Sequence, residues 1–267
     1  MCEKSLNNKN IVIIGGTAGL GLSGALAFVA NGARLVVVGL DDESAGEASA
    51  LLGDRAEVIT GDAVQAETAL RAIDICVRTF GKLDGLYHIA GGSGRKMGDG
   101  PLHELTPEGW NKTLELNLTS LMWSNQAAVR QFLKQGTGGS ILNTGSVLGW
   151  SPSPQYFSTH AYAAAKSAII GFTRSVAAYY AKDNIRINVV APGLVETAMS
   201  RRAAEDETIL SFIKTKQPLD GGRIGTPSDL DGLAVYFMSE QSRFTTGQVI
   251  AVDGGWTVSD GQISIQP

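Results

Sequence analysis

Tyr162 and Lys166 stand four residues apart in His160-Ala161-Tyr162-Ala163-Ala164-Ala165-Lys166, a spacing that puts them on one face of a helix. A phenol is an acid only near pH ~10 unless a neighbouring positive charge stabilises its anion, and Lys166 can supply that charge. An amphipathic helix often carries such a pair for packing alone, so the pair by itself decides little. Ser146 adds to it. In Asn143-Thr144-Gly145-Ser146 it follows an apolar stretch, where its hydroxyl can hold a carbonyl oxygen beside the phenol. Asn117 lies between Leu116 and Leu118 in a helical stretch. An amide buried there is costly without a partner, so it either serves a specific polar group or is a satisfied structural amide. No metal site competes with this set: His88, His103 and His160 are scattered, and Cys2 and Cys76 form no ligand pattern.

A second chemical signal opens the chain. The apolar run Asn10–Ile14 leads into Gly15-Gly16-Thr17-Ala18-Gly19-Leu20-Gly21, and a helical pattern follows. Such a loop makes a tight turn, lets the backbone approach a diphosphate and starts the helix close to the strand, with free N–H groups facing the ligand. A glycine triad alone also fits a plain tight turn. Its place after an apolar strand and before a helix favours the ligand.

The elements that must position these residues alternate. Apolar runs at 10–14, 34–38, 56–60, 85–90, 140–144, 186–191 and 248–252 read as strands. Helical patterns at 20–31, 44–52, 67–80, 107–134, 160–182 and 227–239 lie between them, the longest starting at Thr106-Pro107. Strands without alternation are buried on both faces, and the helices cover them. The fold class is therefore α/β, a doubly wound parallel sheet of seven strands in a single domain over 1–267. Ligands of such sheets bind beyond the carboxyl ends of the strands. The chain has 267 residues, 43% apolar and 18% charged, which suits one globular unit. Its 33 glycines and net charge of −4 favour close backbone approaches and argue against a nucleic-acid groove. Two cysteines make no disulfide framework, the polar start Met1–Lys9 is no signal peptide, and no apolar run reaches the ~20 residues of a membrane span. The expectation is a cytoplasmic protein with no membrane partner.

Taken in order, these residues resemble the short-chain dehydrogenase/reductase family, in its compact branch of roughly 250 residues, from Asn10 to Asp253-Gly254-Gly255. The resemblance implies a Rossmann-type fold and hydride transfer between a nicotinamide and an alcohol/carbonyl pair. It makes Tyr162 the proton donor and acceptor. Lys166 lowers its pKa and bonds the ribose, Ser146 orients the substrate oxygen, and Asn117 holds a water linking Lys166 to solvent. It assigns the cofactor to Gly15, Thr17, Gly19, Leu20 and Gly21, to Leu40 and Asp41, and to Asp62 and Ala63. Ala90 and Gly91 follow, then Pro192, Gly193, Val195 and Thr197, with Tyr162 and Lys166 closing the set. It also implies a homotetramer built through the helices at 107–134 and 160–182. Two positions depart from the family: Ile14 stands for a Thr, and His88-Ile89-Ala90-Gly91 for Asn-Asn-Ala-Gly. Both missing polar groups normally steady turns. A non-catalytic dinucleotide-binding regulator is the alternative, but it would have lost the Tyr or the Lys. A serine hydrolase would need G-x-S-x-G.

The cofactor choice rests on charge. NADP carries a 2′-phosphate that calls for Lys or Arg near the glycine loop or the end of the second strand. Here Thr17 and Ala18 are neutral, and the strand runs into Gly39-Leu40-Asp41-Asp42-Glu43. NAD is expected over NADP. For a small-molecule substrate the candidates are Arg95, Trp150, Tyr156 and His160, and the segment 194–222 is a candidate lid with its hinge at Asp220-Gly221-Gly222.

Overall fold

The structure, a computed structural model, describes residues 4–262. Cys2 lies outside them. Strands Asn10–Ile14 (β1), Arg34–Gly39 (β2), Ala56–Thr60 (β3), Gly85–His88 (β4), Gly139–Thr144 (β5), Ile185–Pro192 (β6) and Val249–Val252 (β7) form one sheet. Their order is β3-β2-β1-β4-β5-β6-β7, and every pairing is parallel. The order reverses beside β1, so the crevice of the doubly wound sheet opens between the ends of β1 and β4.

Successive residues of β1 feed two cores. Ile11 and Ile13 pack on one face with Leu35, Val37, Phe28 and Phe237, and Val12 and Ile14 on the other with Val36, Cys76, Phe132 and Ile141. Helices Gly19–Ala30 (α1) and Asp42–Leu52 (α2) lie over the first core, and Ala66–Phe80 (α3) over the second. This two-sided burial is why the strands read as unbroken apolar runs.

One expected helix differs. The stretch 107–134 is Pro107–Leu114 (α4), then a π-helical turn at Glu115–Thr119, then Ser120–Gln135 (α5). Thr106 caps α4 by accepting from the Gly109 N–H at 2.9 Å. At the π-turn the Ser120 N–H reaches back to the Glu115 carbonyl, one residue further than in an α-helix, which widens the helix around Asn117. Such turns concentrate at functional sites. His160–Tyr180 (α6) is continuous, and Arg201–Ala204 (α7) and Glu207–Lys216 (α8) belong to the segment after β6. The expected helix at 227–239 begins as a 3₁₀ turn and becomes Asp231–Met238 (α9). No helix among the described residues is long and apolar enough to cross a membrane.

Gly21 shows how tightly the first strand meets α1. A Cβ there would lie 1.9 Å from the Gly15 carbonyl oxygen and 2.7 Å from the Gly16 Cα, both rigid backbone. Gly21→Ala is therefore expected to cost about 2 kcal/mol or more, a fall of roughly 5 °C in Tm. Gly46→Ala, inside α2 with nothing near the added carbon, should hold or raise Tm. Thermal denaturation of the two variants checks the contrast.

Candidate active site

A cavity of 540 Å³ runs along the carboxyl edge of the sheet, within the range of small-ligand sites. Its first end is walled by the glycine loop (Gly15, Thr17, Gly19, Leu20) and by Leu40, Asp41, Asp62 and Ala63 beyond β2 and β3. Ala90 and Gly91 after β4, and Pro192, Gly193, Val195 and Thr197 after β6, form its waist. Asn117, Ser146, Tyr162, Lys166 and Arg95 line the far end. Gly21 stands behind the wall, where its missing side chain lets α1 start against the loop.

Burial governs the proton chemistry of the far end. Lys166 is 4% exposed, and its Nζ donates to the Thr144 carbonyl at 3.0 Å. Desolvation brings its pKa down to about 8. The Tyr162 phenol is pushed up to about 12 by burial, with the Ser146 hydroxyl offsetting part of the rise. The Lys166 Nζ lies 5.4 Å from the centre of the Tyr162 ring. The pair is thus on one face as the spacing requires, and burial, opposed only by the Ser146 hydroxyl, holds the phenol in its protonated form. Ser146 Oγ also accepts from the Leu148 N–H at 3.2 Å, which fixes the turn after β5.

Asn117 is more committed than its sequence context implies. Its Nδ2 donates to the Gly92 and Thr113 carbonyls at 2.8 and 2.9 Å, and its Oδ1 accepts from the Gly92 N–H at 3.3 Å. One lone pair is left for another partner. The π-turn and this clamp coincide: the side-chain amide at the widened turn bonds both the Thr113 carbonyl of α4 and the loop after β4.

Two further residues escape sequence reasoning. Asp99, 3% exposed, accepts from the Ala161 and Tyr162 N–H groups at 2.9 Å each. It is the N-terminal anchor of α6, supplied from a distant loop, and a carboxylate suits a helix N-terminus. Gln217, 2% exposed, accepts from the Leu194 N–H at 2.5 Å and donates to its carbonyl at 3.2 Å. It closes the segment after β6 on itself. No local pattern marks either one, because each partner is remote in sequence.

At the first end, a Cβ on Gly39 would strike Thr17 Oγ1 at 2.3 Å. Position 39 therefore excludes an acid, and the first carboxylate after β2 is Asp41. It caps α2, accepting from Ser44 N and Ser44 Oγ at 2.9 Å each, and these bonds lower its pKa. Ser44 Oγ lies 3.1 Å from Thr17 Oγ1, which joins the two walls. Arg34 lies at the other end of β2, on Asn10 Oδ1. Arg71 donates to the Thr60 carbonyl and lines a separate depression.

Among the expected substrate residues, Arg95 alone lines the cavity. Trp150 is 42% exposed outside it. Tyr156 packs on Phe212 with ring centres 5.0 Å apart. His160 opens α6 with its N–H toward the Gly100 carbonyl, and the residue is exposed.

The family model described as enoyl-(acyl carrier protein) reductase matches residues 15–257. The chain belongs to the short-chain dehydrogenase/reductase family. The 2,5-dichloro-2,5-cyclohexadiene-1,4-diol dehydrogenase of Sphingobium indicum is 32% identical over 94% of this chain and 98% of its own length. The 2-(S)-hydroxypropyl-CoM dehydrogenase 3 of Xanthobacter autotrophicus is 34% identical over the same shares. A short-chain dehydrogenase/reductase from Mycobacterium ulcerans superposes with a TM-score of 0.87 at 28% identity, covering 96% of this chain and 92% of that one.

For a short-chain dehydrogenase/reductase, the loop after β4 is steadied here by a substitute. His88, 1% exposed, bonds through Nε2 to the Ala90 carbonyl at 3.0 Å and through Nδ1 to Ser124 Oγ at 2.8 Å. The imidazole thus stands at the position of the family's usual Asn. Ile14 contributes backbone only, its carbonyl accepting from Ile89 and Ala90. Burial first, and then the Lys166 charge, drives the His88 pKa down to about 3. An unfolded histidine titrates near pH ~6.5, so below that pH the unfolded chain binds a proton that the folded chain refuses. Its contribution is fully present above pH ~6.5 and is lost as pH falls toward 3, by roughly 1.4 kcal/mol per unit. Between pH 7 and pH 5 the wild type should lose roughly 2 kcal/mol more than His88→Asn. Urea unfolding of both proteins at the two pH values measures the difference, whatever the absolute stability of the variant.

Proposed function

We propose that this chain is an NAD-dependent dehydrogenase/reductase that interconverts a secondary alcohol and its carbonyl compound. The observation that carries the reading is one continuous cavity with the glycine loop at one end and Ser146, Tyr162 and Lys166 at the other. The dehydrogenase names of the relatives, on a cyclic diol and a hydroxypropyl compound, agree with it. The glycine loop, Asp41, Asp62 and the waist residues would hold the dinucleotide, whose nicotinamide supplies or accepts the hydride. Glycine backbone and a helix N-terminus fit a diphosphate without a cationic side chain.

The residues then divide the work. Ser146 Oγ holds the substrate oxygen. The protonated Tyr162 phenol donates to that oxygen when a carbonyl is reduced; in the oxidative direction the same group must give up its proton before it can take one from the alcohol. Lys166 stabilises the phenolate at that stage, and its own pKa of about 8 lets it exchange a proton near neutral pH. Asn117 spends its remaining lone pair on a water between Lys166 and solvent. Tyr162→Phe removes only the hydroxyl, so folding and dinucleotide binding should persist while kcat falls by about 10²–10⁴. Comparison of steady-state turnover with dinucleotide affinity tests this. A folded Phe variant with near-normal turnover defeats the assignment, and a wild type that binds dinucleotide without any turnover favours a regulatory protein.

The preference for NAD rests on the first end of the cavity, where the lining carries Asp41 and Asp62 and no base. An ionised Asp41 at the α2 cap repels a 2′-phosphate and can accept from ribose hydroxyls. NAD should exceed NADP in kcat/KM by tenfold or more, about 1.4 kcal/mol. Leu40→Arg combined with Asp41→Ser should narrow or reverse the gap. A wild-type preference for NADP would mean that a base such as Arg71 reaches the phosphate.

The segment after β6 acts as the lid in this reading. Asp220, with φ 54°, is pinned by Arg223, which also forks onto Asp229, so the expected hinge at 220–222 is held. The Gln217–Leu194 clamp places the moving part between those two residues, with α7 and α8 riding on it. Assembly as a homotetramer through α4, α5 and α6 belongs to the same proposal; Trp110, Leu133 and Tyr179 are apolar side chains exposed on those helices.

A further inference from the structure

The cavity is unevenly charged. Its lining carboxylates, Asp41 and Asp62, both belong to the ends of β2 and β3. The half that contains Ser146 and Tyr162 holds Lys166, Arg95 and Arg202 and no lining carboxylate. This is a cationic end in a chain whose net charge is −4. Arg95 comes from the short 3₁₀ turn Gly94–Met97 after β4, and Arg202 from α7 in the lid. They approach the substrate side from different walls.

We propose that the substrate carries an anionic group, a carboxylate, sulfonate or phosphate, that is held between Arg95 and Arg202. The proposal rests on the dehydrogenase reading of the same cavity and names its substrate class. Neither guanidinium is in an ion pair among the described residues. Arg202 spends one donor on the Tyr156 carbonyl at 3.1 Å, which ties it to the loop between Ser146 and Tyr162 and not to the dinucleotide end. Arg95 makes no side-chain hydrogen bond among the described residues. The acid nearest in sequence, Asp99, has both oxygens occupied by the N-terminus of α6. Partial desolvation, and then the charge of Arg202, depress the Arg95 pKa, with the Asp99 carboxylate offsetting part of the fall, so the two cations sense one another. Two guanidiniums that line one cavity, with no ion pair to either among the described residues, are stabilised by an anion that accepts from both. Because Arg202 rides on the lid, the same anion would draw the lid down over the alcohol carbon.

The test uses pairs of probes that differ in charge at one end: D-gluconate against D-glucitol, and 3-hydroxybutanoate against 3-hydroxybutanamide. Inorganic sulfate and phosphate serve as headgroup probes. Calorimetry on the enzyme saturated with NADH, which cannot take a hydride from an alcohol, gives affinity without turnover, and kcat/KM with NAD is measured separately for each compound. Anionic members should bind at least tenfold more tightly than their neutral partners. That advantage should shrink at least fivefold in Arg95→Gln and in Arg202→Gln, and should weaken as salt is raised. Equal binding within the pairs, failure of every anion to bind, or a preference that survives in the double variant overturns the proposal. So does a rise in the Kd for NAD as the main effect of the substitutions, which would assign the arginines to the dinucleotide. If anions bind through the arginines but no alcohol is oxidised and no ketone reduced, the dehydrogenase reading fails and the anion site stands. Turnover of neutral alcohols without any gain from the charge overturns the anion site and leaves the dehydrogenase reading intact.

Discussion

The position of one amine constrains the whole far end of the molecule. Lys166 is almost fully buried, and its only hydrogen bond among the described residues is to the Thr144 carbonyl. Burying an ammonium is unfavourable, and the depression of its pKa to about 8 corresponds to roughly 3 kcal/mol at about 1.4 per unit. Such a cost persists only where the surroundings fix the side chain. Here β5 must end at Thr144, α6 must begin six residues before Lys166, and the two must pack closely enough for the bond to form. The sheet order puts β5 between β4 and β6, and α6 returns along β6.

The strands, the sites of the glycine loop and the Tyr–Lys helix, and the choice of the carboxyl edge are legible from the chain because they depend on local signals. Unbroken apolar runs mark strands covered on both sides. A helical spacing of four fixes a shared face whatever lies around it. The π-turn is a different matter. Nothing in Glu115-Leu116-Asn117-Leu118-Thr119 forbids a regular α-helix, and the extra residue is explained by the Asn117 clamp on Gly92, a contact across 25 residues. Asp99 as the anchor of α6 is hidden for the same reason. Tyr156, Trp150 and His160 carry the residue types expected of a pocket, yet an aromatic packs as readily as it binds. Tyr156 is drawn to Phe212, and Trp256 closes that cluster with Phe157 and Phe212. The protonation of Tyr162 lies beyond sequence reasoning as well, because spacing reports neighbours and not desolvation.

The first end of the cavity shows a single side chain deciding where the first carboxylate after β2 stands. With Thr17 in the glycine loop, its methyl and hydroxyl occupy the space beside Gly39, and no side chain can grow there. The carboxylate that follows β2 is displaced to Asp41, where it becomes the cap of α2 and is held through Ser44 to Thr17 itself. One threonine thus decides both which position is empty and how the displaced acid is oriented.

The loop from Ala90 to Gly100 links the wall of the cavity to the helix that carries Tyr162. His88 holds its start through Ala90, Asn117 grips it at Gly92, and Asp99 near its end carries the first turn of α6 and therefore Tyr162. Arg95 lies between the second and third of these anchors and lines the cavity. A loop pinned at three points can change the residue at Arg95 without moving the phenol, since the backbone on either side is fixed by bonds that do not involve that side chain. The sheet and α6 fix Ser146, Tyr162 and Lys166, and the span between Gly92 and Asp99 can vary in side chain without disturbing them. The segment after β6 supplies the opposite wall in the same manner: Gln217 closes it on Leu194, Ala203, Ile209 and Ile213 seat it against Val147 and Trp256, and Arg202 reaches the cavity from that packed frame.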